Sequence, residues 1–236
     1  YTGTSGADTL AQSADTAGLF VNGFAGIDTI TTGSGADLVR AGTGADNVST
    51  GDGDDTIVVV GTTTASEYDS SDIDSSLDKV LTLATLNGQS TSEAASGESI
   101  NAGDGTDTLH LYGTLDMSSV TLTGIETIAM HSDVIFSDQQ LTASVAITGD
   151  GNSTLRLVAN DTSVTLDIDN LNITGINQLS VANNIVVKAA NMTALTDMGL
   201  TVLSGAGNVE LADTTDVAPS LILDTQMTVS NATGTD

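Results

Sequence analysis

A single apolar, β-branched side chain recurs along the first quarter of the chain, in a background of glycine, aspartate and small polar residues. Ile30, Val39, Val48 and Ile57 follow one another at intervals of nine residues. Each is the centre of a strand of only about three residues, and such a strand buries its apolar side chain only when copies are stacked. The pattern therefore predicts a solenoid of short strands with one inward-facing column of side chains.

A glycine and an aspartate precede each apolar residue in constant register. They form two further sets with the same nine-residue spacing: Gly26, Gly35, Gly44 and Gly53, and Asp28, Asp37, Asp46 and Asp55. Looser copies of the phrase are GTSGADTL at 3–10 and AGDGTDTL at 102–109. Aspartates that merely cap turns or face solvent need no such register. The spacing therefore favours a shared ligand for the carboxylates.

This phrase resembles the RTX nonapeptide G-G-x-G-x-D-x-U-x, a repeat of calcium-binding β-helices. The resemblance covers residues 3–58 and 102–110, where position four is glycine and position six is aspartate in all six copies. The two leading glycines are less regular. Thr32, Ala41, Thr50 and Ala102 replace the first, and Thr4 and Phe24 replace the second. In the family these positions donate backbone carbonyls, so the substitutions leave the sites possible.

The resemblance implies several Ca²⁺ ions held between stacked turns. Calcium takes six to eight oxygen ligands, more than one turn can offer. One coil of the family's roll uses two repeats, so Asp8, Asp28 and Asp46 should share one edge, and Asp37 and Asp55 the other. The implied ligand positions are Gly3, Ser5, Gly6, Asp8, Gly23, Ala25, Gly26, Asp28, Thr32, Ser34, Gly35, Asp37, Gly42, Thr43, Gly44, Asp46, Asp52, Gly53, Asp55, Asp104, Gly105 and Asp107.

The charge of the chain excludes some partners. It has 31 acidic residues against four basic ones, for a formal net charge of −27. Without a basic patch the chain cannot neutralise phosphates, which argues against nucleic acid and against anionic membranes as partners.

The 39% hydrophobic content argues against disorder, although only 3% of residues are aromatic. With no cysteine, calcium rather than disulfides should stabilise the fold, and no apolar stretch has the length of a transmembrane segment.

The pattern divides the chain into three parts of an all-β, parallel β-roll and β-helix solenoid. Residues 1–61 form the predicted calcium-binding roll, and 62–99 an acidic insertion in which DSSLDKVLTLATL could form one short helix. The insertion is either a binding segment or an ordinary surface excursion. Residues 100–236 are predicted to continue as a parallel β-helix, since β-rich runs recur there while Ser153 and Asn208 replace the aspartate. The abrupt ends suggest a piece of a longer protein.

The sequence offers no convincing catalytic site. His110 and His131 are the only histidines, and we expect each to be a surface residue. No zinc-protease, nucleophile-elbow, phosphate-loop or dinucleotide motif occurs. The chain is therefore expected not to be an enzyme.

Three functions fit the resemblance. The first is a structural module of a secreted bacterial surface-layer protein at the cell surface, which folds and assembles with extracellular calcium. The second is the calcium-dependent folding tail of an exoenzyme exported by type I secretion, and the third a ligand-binding domain of an RTX adhesin. The first is favoured by the composition, rich in Thr, Ser, Ala, Val, Gly and Asp. The implied partners are other copies of the parent protein, joined through calcium, with cell-surface polysaccharide as a further candidate.

Overall fold

The fold is almost wholly parallel β-structure with very little helix, as the sequence predicts. A computed structural model describes residues 1–141, 145–159, 164–168, 171–182, 185–190, 192–212, 221–223 and 228–231. The chain forms two compact units, Tyr1–Ser132 and Asp133–Asp236. This boundary differs from those predicted at residues 61 and 99, and the three-part division stays a prediction.

The first unit is a roll built from two parallel sheets. Its strands in chain order are β1 Thr9–Ala11, β2 Phe20–Asn22, β3 Thr29–Thr31, β4 Leu38–Arg40, β5 Asn47–Ser49, β6 Thr56–Val60, β7 Ser99–Asn101, β8 Thr108–Tyr112, β9 Leu115–Asp116, β10 Thr121–Thr123 and β11 Thr127–Met130. One sheet has the order β1-β3-β5-β7-β10, and β2, β4, β6, β8 and β11 pair in that order in the other. Each coil thus gives one strand to each sheet.

The inward columns follow the predicted nine-residue register. Ile30 pairs with Val48, and Val39 with Ile57, each partner lying one coil further along. All four side chains are at most 1% exposed. Since alternate residues of a strand face opposite sides, one apolar residue per three-residue strand is enough to fill each row of the interior.

The turns between the strands stack so closely that side chains are excluded. A Cβ atom built on Gly44 would lie 1.6 Å from the carbonyl oxygen of Gly26, and Gly44 has a φ of +150°. Phe24 stands where the repeat has its second glycine, and its φ is +73°. It is the only non-glycine residue of the described chain with a positive φ, a conformation that disfavours side chains.

The insertion between β6 and β7 folds back onto the outward face of the second sheet. It contains a 3₁₀ turn at Ser75–Leu77 and a single α-helical turn, α1, at Leu83–Leu86, instead of one helix. Its apolar side chains pack on outward residues of the sheet. The cluster consists of Leu38, Val58, Val60, Tyr68, Leu77, Val80, Leu81, Leu86 and Tyr112. The insertion is therefore a packed cover of the roll.

A buried ion pair holds the same cover in place. The Arg40 guanidinium, on β4, donates to Oε1 of Glu93 at 2.6 Å and 2.9 Å. Oε2 of Glu93 accepts the backbone N–H of Val60 at 2.8 Å. The two charged side chains are only 6% and 4% exposed, so the insertion shields them from water.

The second unit has longer apolar strands. Its elements are β12 Val134–Ser137, β13 Ala146–Gly149, β14 Thr154–Val158, β15 Val164–Asp167, β16 Asn172–Thr174, β17 Gln178–Val181, β18 Ile185–Ala189, α2 Met192–Asp197, β19 Val202–Gly205, β20 Asn208–Leu211, β21 Ile222–Leu223 and β22 Thr228–Asn231. Strands β12, β14, β17, β19 and β21 pair in that order, as do β15, β18, β20 and β22, and β13 pairs with β16. Leu155, Leu179 and Leu203 lie in register and are at most 1% exposed. Side chains therefore fill this unit, in agreement with the predicted β-helix.

Candidate calcium-binding turns

The aspartates at position six form a continuous row on one edge of the roll. The backbone N–H of Asp8 donates to Oδ1 of Asp28 at 2.8 Å, twenty residues further along. The N–H of Asp28 donates in the same way to Oδ1 of Asp46, also at 2.8 Å. The prediction that these three residues share an edge is confirmed. Each carboxylate thus joins its own turn to the preceding one.

The opposite edge repeats the arrangement and extends beyond the insertion. The N–H of Asp37 donates to Oδ1 of Asp55 at 2.8 Å. Asp55 in turn donates to Oδ1 of Asp107 at 2.8 Å, although these two residues are 52 positions apart. The looser copy at 102–109 is therefore a full member of this row, which the sequence spacing alone left open.

Each row leaves carboxylate oxygens unused. The Oδ2 atoms of Asp28, Asp46, Asp55 and Asp107 are buried and have no hydrogen-bond partner. A buried polar atom without a partner is costly, and for an ionised carboxylate the cost is larger still. A cation between the turns removes this cost. These oxygen atoms are therefore suited to a hard cation such as Ca²⁺, which prefers oxygen ligands.

Burial makes these carboxyl groups hard to ionise without a cation. Desolvation raises the pKa of Asp46 to about 6, with Asp28 and Glu93 adding repulsion. Desolvation likewise raises the pKa of Asp107 to about 6, and repulsion from Asp55 is the largest of several smaller contributions from neighbouring acids. The pKa values of Asp28 and Asp55 are also raised, chiefly by burial. Cation binding must therefore compete with protons, and its free energy is also folding free energy.

The glycines beside the aspartates bring backbone oxygens to the same places. A Cβ on Gly23 would lie 2.2 Å from the carbonyl oxygen of Ala41 and 2.5 Å from Oδ2 of Asp28. A Cβ on Gly3 would lie 2.5 Å from the oxygen of Gly23 and 2.8 Å from Oδ2 of Asp8. A carbonyl and a carboxylate oxygen thus face one small space, which suits the mixed ligand set of calcium.

The other predicted ligand positions lie in the same stacked turns. Isolated bridges join Ala25 to Thr43 and Asp52 to Asp104. The carbonyls of Thr43 and Asp104 accept the N–H groups of Gly26 and Gly53. The turns also contain Ser5, Gly6, Thr32, Ser34, Gly35, Gly42, Gly44 and Gly105. No three His, Cys, Asp or Glu side chains are grouped as a metal site in the described residues. Backbone carbonyls are therefore needed, and the identity of each ligand stays a prediction.

Two glutamates occupy the aspartate register and were missed from the sequence. Asn47 pairs with Ser99, which places Glu98 opposite Asp46. Glu126 accepts the N–H of Asp107 at 2.8 Å, so it follows Asp107 in the other row. Their sequence signal is an acid two positions before Ile100 or Ile128, as with the repeat aspartates. A motif restricted to aspartate does not detect it.

The two histidines are half-buried against each other, which corrects the prediction that each is a surface residue. Nδ1 of His110 lies 3.2 Å from Nε2 of His131, and both side chains are half-buried. The His131 ring stacks on Tyr112 with centroids 4.1 Å apart. Tyr68, from the insertion, donates its hydroxyl to the carbonyl of His131. The cover supplied by the insertion buries residues that an uncovered strand would expose.

Comparison with known proteins agrees with the geometry of the turns. The family model described as the RTX calcium-binding nonapeptide repeat matches residues 22–57, in four copies. No curated protein and no solved structure matched the chain. Within the described residues, no helix has the length and apolar character needed to cross a membrane. Residues 22–57 are therefore RTX nonapeptide repeats, a type that binds several calcium ions and is typical of secreted proteins.

Proposed function

We propose that this chain is a calcium-gated structural module of a secreted bacterial surface-layer protein, and that it acts by assembly rather than catalysis. The observation that carries the proposal is the set of buried, unpartnered Oδ2 atoms in the stacked turns. Without calcium these carboxylates oppose folding, so the roll stays unfolded where calcium is scarce. Outside the cell, millimolar calcium supplies the missing partner and the roll folds.

Assembly is supported by the acidity of the exposed surface. The chain has a formal net charge of −27, and the repeat aspartates account for only part of it. The insertion exposes further acids, among them Asp72 and Asp78. At low calcium two copies repel each other. Divalent ions that bridge these exposed carboxylates reverse the repulsion and join neighbouring copies.

Light scattering of the parent protein across a calcium titration tests assembly, with circular dichroism recorded on the same samples. We expect a first transition in the β-signal and a second one, in particle mass, at higher calcium. Magnesium should support neither well, because it requires a tight octahedral shell and releases its water reluctantly. A parent protein that stays monodisperse in millimolar calcium and hydrolyses a polymer would instead support an exoenzyme tail.

Hydrogen exchange resolves which part of the chain is gated. In excess chelator we expect β3, β4 and β5 to lose protection, while β14, β17 and β19 keep it, since leucines rather than carboxylates fill their interior. Equal loss of protection in both units would show instead that they fold together and that the calcium requirement extends to the whole chain.

A further inference from the structure

The insertion ends in an acidic residue that continues the row of aspartates. Because Asn47 pairs with Ser99, Glu98 takes the register position next to Asp46. The same position in earlier coils is held by Asp28 and Asp8. The row Asp8, Asp28 and Asp46 therefore gains a fourth carboxylate, which comes from outside the four matched repeats.

The surroundings of Glu98 are those of a ligand rather than of a surface acid. Its side chain is 1% exposed, and one carboxylate oxygen, Oε2, accepts the N–H of Ala95 at 3.0 Å. Burial, with a smaller contribution from the charges of Asp46 and Glu93, raises its pKa to about 8. Glu93 itself is paired with Arg40. Two buried carboxyl groups, Glu98 and Asp46, thus lie side by side, and neither forms an ion pair within the described part of the chain.

A second observation points to a ligand at this place. Oδ2 of Asp46 is buried and unpartnered, while Oδ1 of the same residue accepts the N–H of Asp28. The turn that ends the insertion lies directly against the Asp46 turn, because a Cβ on Gly97 would lie 3.9 Å from Cβ of Ala45. Gly97 has a φ of +91°, and several glycines of the matched turns, such as Gly26 and Gly44, also have positive φ values.

We propose that Asp46 and Glu98 hold one calcium ion between the Asp46 turn and the turn that closes the insertion. The inference rests on calcium binding by the repeats and is independent of the surface-layer role. Glu98 replaces the aspartate of a repeat turn with a longer side chain, which suits a turn that returns from the 37-residue insertion at 62–98. The ion ties the insertion to the roll.

An ion at this site links calcium binding to the packing of the insertion on the second sheet. The insertion is attached at its start through β6 and in its middle through the apolar cluster and the Arg40–Glu93 pair. The Glu98 site attaches its end. Calcium therefore stabilises the packing of α1 and Tyr68 on the sheet as well as the turns of the roll, since both are parts of one linked equilibrium.

A double-mutant cycle tests the shared ion. The variants are Glu98→Gln, Asp46→Asn and the two combined, with Glu67→Gln as a control because Glu67 is an exposed acid of the same insertion. Calcium stoichiometry and affinity are measured by calorimetry. We expect each single variant to lower the affinity for one calcium ion by roughly tenfold or more. Loss of a group that only orients a metal ligand already has an effect of this size. The combined variant should lower the affinity for that ion no further, and Glu67→Gln should bind calcium as the wild type does.

Hydrogen exchange of α1 gives an independent readout. Calcium should protect the α1 amides in the wild type and in Glu67→Gln, and less so in Glu98→Gln. Glu98→Asp keeps the carboxylate and should retain the ion at lower affinity, so a folded variant is available even if the amide disrupts the turn. The proposal is overturned if Glu98→Gln binds calcium like Glu67→Gln, or if the Asp46 and Glu98 effects simply add. If only Asp46→Asn lost calcium affinity, calcium binding by the repeats would still be supported, and only the proposed Glu98 site would be refuted.

Discussion

Asp28 donates its backbone N–H to Oδ1 of Asp46 at 2.8 Å, while Oδ2 of Asp46 remains buried without a partner. One carboxylate thus has two different tasks on its two oxygen atoms. Oδ1 fixes the stacking of two coils, and Oδ2 is left for a cation. The oxygen of an asparagine side chain can accept the same hydrogen bond as Oδ1, but only the carboxylate carries the charge that attracts calcium.

Replacement of Asp46 by asparagine should therefore weaken calcium binding more than it weakens stacking. We expect calcium affinity to fall by roughly tenfold or more, with a lower melting temperature in calcium. In chelator the variant should be at least as stable as the wild type, because burial raises the pKa of Asp46 to about 6 and its charge opposes folding. Calorimetry and thermal unfolding with and without calcium check both effects.

Asp69→Asn is the matched control for the Asp46 variant. Asp69 is exposed in the insertion and accepts hydrogen bonds from Ser71. We expect almost unchanged calcium affinity there. If both variants lost affinity equally, the total charge rather than the geometry of the turns would govern calcium binding.

Replacement of Phe24 by glycine should stabilise the roll. Phe24 has a φ of +73° and its side chain is 49% exposed, so the residue carries backbone strain with little compensating burial. Relief of this strain is worth about 1 kcal/mol. Urea unfolding at fixed free calcium measures the gain.

Phe20→Gly supplies the comparison for Phe24. Phe20 is 52% exposed, but it lies in strand β2, where glycine loses conformational entropy on folding. That variant should lose about 0.5–1 kcal/mol. A loss of stability in both variants would mean that contacts of the Phe24 ring outweigh its strained backbone.

Removal of the Arg40 charge should destabilise the cover strongly. Arg40→Met leaves Glu93 buried and unpaired, which costs about 3–5 kcal/mol. Arg40→Met combined with Glu93→Gln should recover most of this loss, because the neutral amide can still accept the N–H of Val60. Chemical unfolding of the wild type and these two variants at one calcium concentration measures the loss and its recovery.

Lys79→Met is the surface control for the buried pair. Lys79 contacts Asp78 at 2.8 Å, and the two side chains are 54% and 60% exposed. Solvent screening should limit its effect to about 0.5 kcal/mol. An equally small effect for Arg40→Met would contradict a role of the buried pair in holding the insertion.

Acid should weaken the packing around His110. Burial, and then the charge of His131, lower the pKa of His110 to about 4, while Asp74 acts in the opposite direction. A lowered histidine pKa means that the folded protein favours the neutral ring. Its stability is therefore complete above the unfolded pKa of about 6.5 and is lost as pH falls towards the folded value. The rings of Tyr112 and His131 stack with the His110 ring.

The comparison with His110→Phe isolates this effect, because phenylalanine keeps an aromatic ring but does not titrate. At saturating calcium the wild type should lose up to about 3 kcal/mol relative to the variant on acidification to pH 4. Calcium sites protonate equally in both proteins and cancel in the difference. Parallel stability curves from pH 7 to pH 4 would show that His110 does not resist protonation.

Local spacing and the resemblance to the RTX repeat together predicted the roll. The interval between Ile30, Val39, Val48 and Ile57 predicted the inward columns, since a three-residue strand has few other ways to bury its apolar side chain. The resemblance added that alternate repeats stack. The same register placed Asp28 with Asp46, and Asp37 with Asp55, on their respective edges. These features depend on residues close together in sequence.

Tertiary structure alone decided what the insertion contributes. Its polar composition suggested a surface loop, yet it buries the outward residues Val60 and Tyr112 and the Arg40–Glu93 pair. It also returns the chain so that Glu98 stands beside Asp46, 52 residues away in sequence. No local period encodes such a contact. The sequence by itself determined the repeating turns, whereas the cover and the extended carboxylate row depend on which distant surfaces fit together once the roll has formed.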